Sequence, residues 1–240
     1  MKLWKVVLVP IALSLLIGGI YVAIVFHNRA KEGVAQKKAE EQHLTADEIA
    51  VDRQEFPAHF DDVAELAGKP VWMRNGYSMP YYSYTGGRVN YAKQIGLLPP
   101  AQRLDVKKAI KAVAPASVSN RVPHGDRQAL IVFTLPGDSS QYAVAVGAME
   151  GQQEQYFDDL LFFYDDPHTI YSHWPKDTWA AIDAHQPKPG MNELQMSLAL
   201  GSNVTVDSQE KGNRTVNYDV NGKKTSITFS NDKATTIQPQ

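Results

Sequence analysis

Cysteine is absent from this 240-residue chain. That excludes disulfides, thiolate metal sites, a cysteine nucleophile and a lipid-modified N-terminal cysteine in one step. A basic excess is missing too. Lys and Arg number 24 against 26 Asp and Glu, for a formal net charge of −2. No basic stripe of the kind that tracks a phosphate backbone is present, so nucleic acid is not an expected partner. Internal repeats and low-complexity tracts are also lacking. What remains is a moderately apolar, proline-scattered composition, which belongs to a globular chain and not a disordered one.

Uncharged runs are equally scarce, with one exception. Val6 to Phe26 carries no charge, follows the short basic segment Met1–Lys5 and is closed by Asn28, Arg29, Lys31 and Glu32. At about 1.5 Å of rise per residue such a run matches the roughly 30 Å hydrocarbon core of a bilayer. It predicts a transmembrane helix over residues 6–26, with the lipid bilayer as a partner and Trp4 and Tyr21 near the interfaces. A cleaved secretory signal is the competing expectation. Its apolar core would be shorter, and Val25-Phe26-His27-Asn28-Arg29-Ala30 is a poor cleavage site. Two basic residues precede the run (Lys2, Lys5) and four follow it (Arg29, Lys31, Lys37, Lys38). Counted alone, these place the C-terminal side in the cytoplasm. The signal-like layout points the other way, and we expect the bulk of the chain outside the cytoplasm, on the periplasmic side.

The domain plan that follows is an anchor over 1–30, a polar stalk over 31–44, a mixed α+β domain over 45–175 and a smaller module over 176–240. Thr45-Ala46-Asp47-Glu48 has the capping-box pattern and predicts a helix over 46–55. A second short helix is expected over 58–67, ended by Gly68 and Pro70. Val71-Trp72-Met73 begins a strand. Residues 77–91 form a tyrosine-dense loop broken by Pro80 and Gly86-Gly87. After Pro99-Pro100, the residues Leu104, Val106, Ala109, Ile110 and Val113 read as the apolar stripe of a helix over 101–114. Residues 128–135 and 141–147 predict a hairpin around Pro136-Gly137-Asp138-Ser139-Ser140. Leu160-Leu161-Phe162-Phe163-Tyr164 reads as a buried strand. Helices over 176–185 and 192–200 lead into strands over about 203–209, 214–220 and 223–230, with an edge segment over 234–238. Asn221-Gly222 marks the tightest turn.

In that tail, Pro189-Gly190-Met191-Asn192-Glu193-Leu194-Gln195-Met196 ending at Leu200-Gly201 resembles the signature helix of the SmpA/OmlA (BamE-like) envelope family. Val216-Asn217-Tyr218, Asn221-Gly222, Ile227-Thr228-Phe229 and Asp232-Lys233-Ala234 resemble that family's strands. The resemblance covers about 60 residues, a quarter of the chain. It implies two helices on a three-stranded antiparallel sheet, and protein–protein contact at the cell envelope in place of catalysis. The family's lipoprotein cysteine has no counterpart here, and residues 45–175 lie outside the resemblance.

Chemistry-bearing candidates are few. Gly137-Asp138-Ser139 resembles the nucleophile block of GDSL-type esterases, but Asp165-Asp166-Pro167-His168 follows after only about 27 residues, too close for that arrangement. Hairpin-turn chemistry explains the same residues. His168 and His173 with Asp165 and Asp166 are the weak metal candidates, and no established ligand spacing is present. Asp158-Asp159 and Asp165-Asp166 flank the run 160–164 and read as its solvated ends, or as hard-oxygen ligands for calcium. Asn203-Val204-Thr205 and Asn213-Arg214-Thr215 are glycosylation acceptors in form only. Tyr77, Tyr81, Tyr82, Tyr84 and Tyr91 are the candidate recognition surface, since tyrosine offers a broad apolar face and a polar tip. The alternative is that these rings fill the domain's own core. No cofactor is expected.

The fold class is therefore α+β: a transmembrane helix, a mixed middle domain and a two-helix, three-stranded tail. The expected function is non-catalytic binding of an envelope protein or cell-wall material. The alternative is an extracytoplasmic enzyme built on the His/Asp cluster.

Overall fold

The computed structural model describes residues 18–29, 44–119, 122, 125–220 and 222–239. The chain divides into two units, with the boundary between Ile49 and Ala50.

In the first unit a helix, α1, covers residues 18–29. Here the expectation of a membrane-spanning helix is corrected. Among the described residues, no helix is long and apolar enough to cross a membrane. The twelve residues of α1 rise about 18 Å, short of the roughly 30 Å required. Phe26 lies on this helix, while Val6 and the rest of 6–17 lie outside the described residues. So does the expected stalk, apart from Leu44. The capping box at Thr45 forms: the Thr45 amide donates to Glu48 Oε2 at 2.7 Å and the Glu48 amide to Thr45 Oγ1 at 3.3 Å. It closes a single turn and not the expected helix over 46–55. Ile49, Val51 and Phe56 have no apolar surface to cover and stay exposed. A helix this short, with no buried face, has nothing to sustain it.

The second unit is a mixed α+β structure with two antiparallel sheets. In the first sheet the strands are β1 (Pro70–Met73), β2 (Pro80–Thr85), β3 (Arg88–Leu97), β4 (Arg103–Val113), β5 (Arg127–Thr134), β6 (Tyr142–Glu150), β7 (Gln153–Tyr156) and β8 (Phe162–Phe163). Their order is β3-β2-β6-β5-β4-β1-β8, with β7 also on β6, and a single helical turn, α3 (Ala116–Ser119), lies between β4 and β5 in the chain. Strands β5 and β6 are buried on both faces and carry Ile131, Phe133, Val144 and Val146 into the core. Side chains of this size contribute roughly 1.5–3 kcal/mol each on burial. Helix α2 (Phe60–Ala64) packs on the core through Val63, and Leu66, in the turn that follows, joins the same cluster. Gly68, at φ +81°, turns the chain away from the helix.

Three expectations are revised in this sheet. Where a helix is expected over 101–114, Arg103–Val113 form strand β4. Leu104 and Val106 point into the core between Arg103, Asp105 and Lys107, and a bulge at Lys107 then resets the alternation. Pairing with the fully buried β5 overrides the helical phase that the reset imitates. The tyrosine-dense stretch is a hairpin of β2 and β3, turned by Gly86 and Gly87 at φ +59° and +80°. The run 160–164 is a helical turn, α4 (Asp158–Leu161), followed by the two-residue β8.

The second sheet is a four-stranded meander, β9 (Asn203–Val206), β10 (Thr215–Val220), β11 (Lys223–Ser230) and β12 (Lys233–Pro239). The resemblance implies three strands, and the C-terminal edge segment supplies the fourth. Helices α6 (Lys176–Asp183) and α7 (Glu193–Leu200) precede it, with the single turn α5 (Pro167–Ile170) before them. Asn192 accepts from the Gln195 amide at 2.8 Å, and Gln195 reaches back at 3.0 Å, which fixes the start of α7. A second apolar cluster joins Ile182, Met196, Leu198, Val216, Ile227 and Phe229 to Trp72 and Phe163 of the first sheet. The second unit thus holds two cores in contact through β1 and β8. Asn221 lies outside the described residues; Gly222 takes φ +84°.

Candidate functional site

The five tyrosines do not form one exposed surface. Tyr82 and Tyr84 are buried, Tyr81 and Tyr91 half-buried, and only Tyr77 is exposed. Tyr81 packs on Phe133 and Tyr142, and Tyr82 lies against Tyr91 with ring centres 5.3 Å apart. The Tyr91 hydroxyl donates to Gln128 Oε1 at 3.1 Å. Strands β2 and β6 stand between those two residues in strand order, so the bond closes only because the sheet is strongly curled. Burial pushes the Tyr91 phenol up to about 12. Tyr84 belongs to the core of the first sheet, and Tyr81 packs against that core.

The His/Asp cluster is an ion cluster. Asp166 caps the turn α5, accepting from the His168 amide at 2.9 Å and lying 2.9 Å from the ring Nδ1. On the other side Nε2 meets Asp183 at 3.2 Å. The ring stacks on Trp179 at 4.0 Å. Burial opposes charge on this ring, but the two carboxylates outweigh it and hold its pKa above the ordinary histidine value. Both ring nitrogens are therefore engaged. Asp165 lies 3.7 Å from Arg53, and His173 is exposed beside Tyr171 and Trp174. Among the described residues, no group of three or more histidine and carboxylate side chains is placed to hold a metal ion. Ser139 sits in the β5–β6 turn, where Asp138 accepts from the Ser140 amide and the Tyr142 hydroxyl.

The most perturbed acid lies elsewhere. Asp158, in the first turn of α4, is 2% exposed. This departs from its expected place at the solvated end of a strand. Tyr164 donates its hydroxyl to Asp158 Oδ2 at 2.9 Å, and Asp158 Oδ1 is buried with no hydrogen-bond partner. Burial is the largest influence and pushes the carboxyl pKa up to about 6. The tyrosine bond and a weaker contact with the residue's own backbone amide pull it down, while Asp159 and Asp62 add repulsion. Leaving a buried carboxylate oxygen unanswered costs on the order of 1–3 kcal/mol, which marks the residue as a functional candidate.

Asp158 and Tyr164 line the inner part of a cleft of about 190 Å³. Its other walls are helix α2, through Asp62, Glu65 and Leu66, and an extended strap over residues 50–58. The strap is pinned by polar contacts. Arg53 donates to the Tyr164 carbonyl at 2.9 Å, and Asp52 pairs with Arg74, whose Nε donates to the Phe162 carbonyl at 2.8 Å. Phe56, 80% exposed, forms the lip.

The sequence held one signal for this site. In Asp158-Asp159-Leu160-Leu161, helical spacing puts Asp158 on the same face as Leu161, and Leu161 is buried. Reading the stretch as a strand hid that relation. Comparison with protein-family models, curated proteins and solved structures finds no match for the chain.

Proposed function

We propose that this chain is a non-catalytic binding protein of the cell envelope, taking part of a protein or cell-wall ligand in the cleft floored by Asp158 and Tyr164. The observation that carries the reading is the unanswered oxygen of Asp158. A fold that buries a carboxylate and satisfies only half of it holds that group ready for a partner. The envelope setting rests on the resemblance of residues 189–234. Engagement of both His168 nitrogens with carboxylates disfavours the alternative of an enzyme built on the His/Asp cluster.

The test uses the purified full chain. It is offered small peptides and cell-wall fragments while backbone amide shifts are followed, and in parallel ester, amide, phosphoester and glycoside substrates. The expected outcome is saturable shifts around residues 53–69 and 158–164, with no turnover. Turnover that His168→Ala abolishes without lowering the melting temperature would overturn the proposal in favour of an enzyme.

A further inference from the structure

The cleft has a definite charge sign. Four acids line it (Glu55, Asp62, Glu65 and Asp158) against two bases, Arg53 and Lys69. Arg53 is already engaged with the Tyr164 carbonyl and lies 3.7 Å from both Glu55 and Asp165. Asp62 turns Oδ2 to the Ala58 and His59 amides, each at 2.8 Å. Among the described residues two buried carboxylate oxygens lack a partner, Asp52 Oδ1 on the strap and Asp158 Oδ1, and of the two residues Asp158 lines the cleft. A cation that donates hydrogen bonds is the complement.

Geometry narrows the class. Asp158 offers one oxygen without a donor, and Tyr164 already donates to the other. The planar fork of a guanidinium wants two carboxylate oxygens side by side, and here it would have to share Oδ2 with the Tyr164 hydroxyl. A divalent ion needs a shell of several oxygens, and no group of three candidate ligands stands together among the described residues. A quaternary ammonium has no N–H to give. An ammonium head carries three donors and suits a single free oxygen with a second acid, Glu65, in the same wall. Phe56, Pro57 and Leu66 supply an apolar stretch along which methylenes can lie while the charged head stays at the acids.

Building on the binding function proposed for this cleft, we infer that it takes a primary ammonium group at the end of an alkyl chain, with one N–H donated to Asp158 Oδ1. A lysine side chain of a peptide and a small free amine share this chemistry.

The test titrates the full chain with n-butylammonium, N-acetyl-lysine methylamide, n-butylguanidinium, tetramethylammonium and acetate, reading amide shifts at residues 53–69 and 158–164. Both primary amines are expected to bind saturably. The guanidinium and quaternary ions are expected to bind about tenfold more weakly or worse, the scale of one charge-assisted hydrogen bond. Asp158→Asn keeps the shape and the Tyr164 contact, so it is expected to fold as the parent does and to lose about tenfold or more in affinity for the amines. Tighter binding of the lysine derivative than of butylammonium identifies a peptide as the source, and equal binding identifies a small amine. Equal affinity of Asp158→Asn and the parent, or of guanidinium and ammonium, overturns the inference. If acetate or a neutral wall fragment binds this cleft and the amines do not, the ammonium assignment falls while the binding function stands. If nothing binds, both fall.

Discussion

Glu193 and Asp158 are both carboxylates drawn out of water in the first turn of a helix, one beside each sheet, and the fold treats them differently. Glu193 meets Arg214 through Nε and Nη2, at 3.1 and 2.7 Å, and accepts the Gly212 amide as well. Every oxygen is answered, and the group ties α7 to the loop before β10. Asp158 has one tyrosine hydroxyl and an empty second oxygen. The first arrangement is what a structural ion pair needs. The second is unfavourable for stability, which points to use.

Breaking the complete pair should have the largest effect. Arg214→Ala leaves the partly buried Glu193 without its cation, and the expected loss is about 3 kcal/mol in a urea titration. A loss below about 1 kcal/mol would mean water already serves Glu193 and would erase the contrast.

Removing the incomplete carboxylate should act in the opposite direction. Asp158 has a folded pKa of about 6 against an ordinary 3.8. The folded state therefore holds this proton more tightly than the unfolded chain. Stability from this group is greatest below about pH 4 and falls as pH rises to about 6. Asp158→Asn is expected to stabilise the chain at pH 7 by at most about 3 kcal/mol and to lose that advantage below pH 4. Thermal unfolding across that range checks it. A variant less stable than the parent at pH 7 would show that the buried charge is answered after all.

The smallest effect belongs to His168, which lies between these extremes because its two partners are half-exposed. Its pKa is raised in the fold, so its contribution is complete below 6.5 and disappears as pH rises through the folded value. His168→Gln should lower stability at pH 5.5 by about 0.5 kcal/mol and leave it unchanged at pH 9. An equal loss at both pH values would assign the role to stacking on Trp179 alone.

The two halves also differ in how far their residues announce them. In the tail, strict alternation in Thr215–Val220, Gly222 at positive φ and the reciprocal Asn192–Gln195 cap are local signals that agree with one another, and the helices and strands follow from them. In the first sheet the decisive facts are long-range. The bulge at Lys107 breaks the period-two pattern in β4, and only the partner strand β5 reveals why. Gly86-Gly87 carried a hairpin signal, yet five tyrosines in fifteen residues suggested a surface. Their packing depends on Phe133, Tyr142 and Gln128, which β5 and β6 bring from far along the chain. The His168 cluster was named from the sequence, but Asp183 joined it from α6, fifteen residues away. Asp158 was the hardest to see. Its partner Tyr164 is six residues on, and the strap over the cleft comes from more than a hundred residues earlier in the chain.

Strand β3 has a consequence for the molecule in a crowded solution. It is the ten-residue outer border of the first sheet, and an open border of that length is a template on which a second copy could polymerise. Two register shifts against β2 bend it out of plane, and Arg88 and Lys93 place positive charge along it. A neighbour approaching edge-on meets a kinked, charged rail where a flat ladder would have invited it to join.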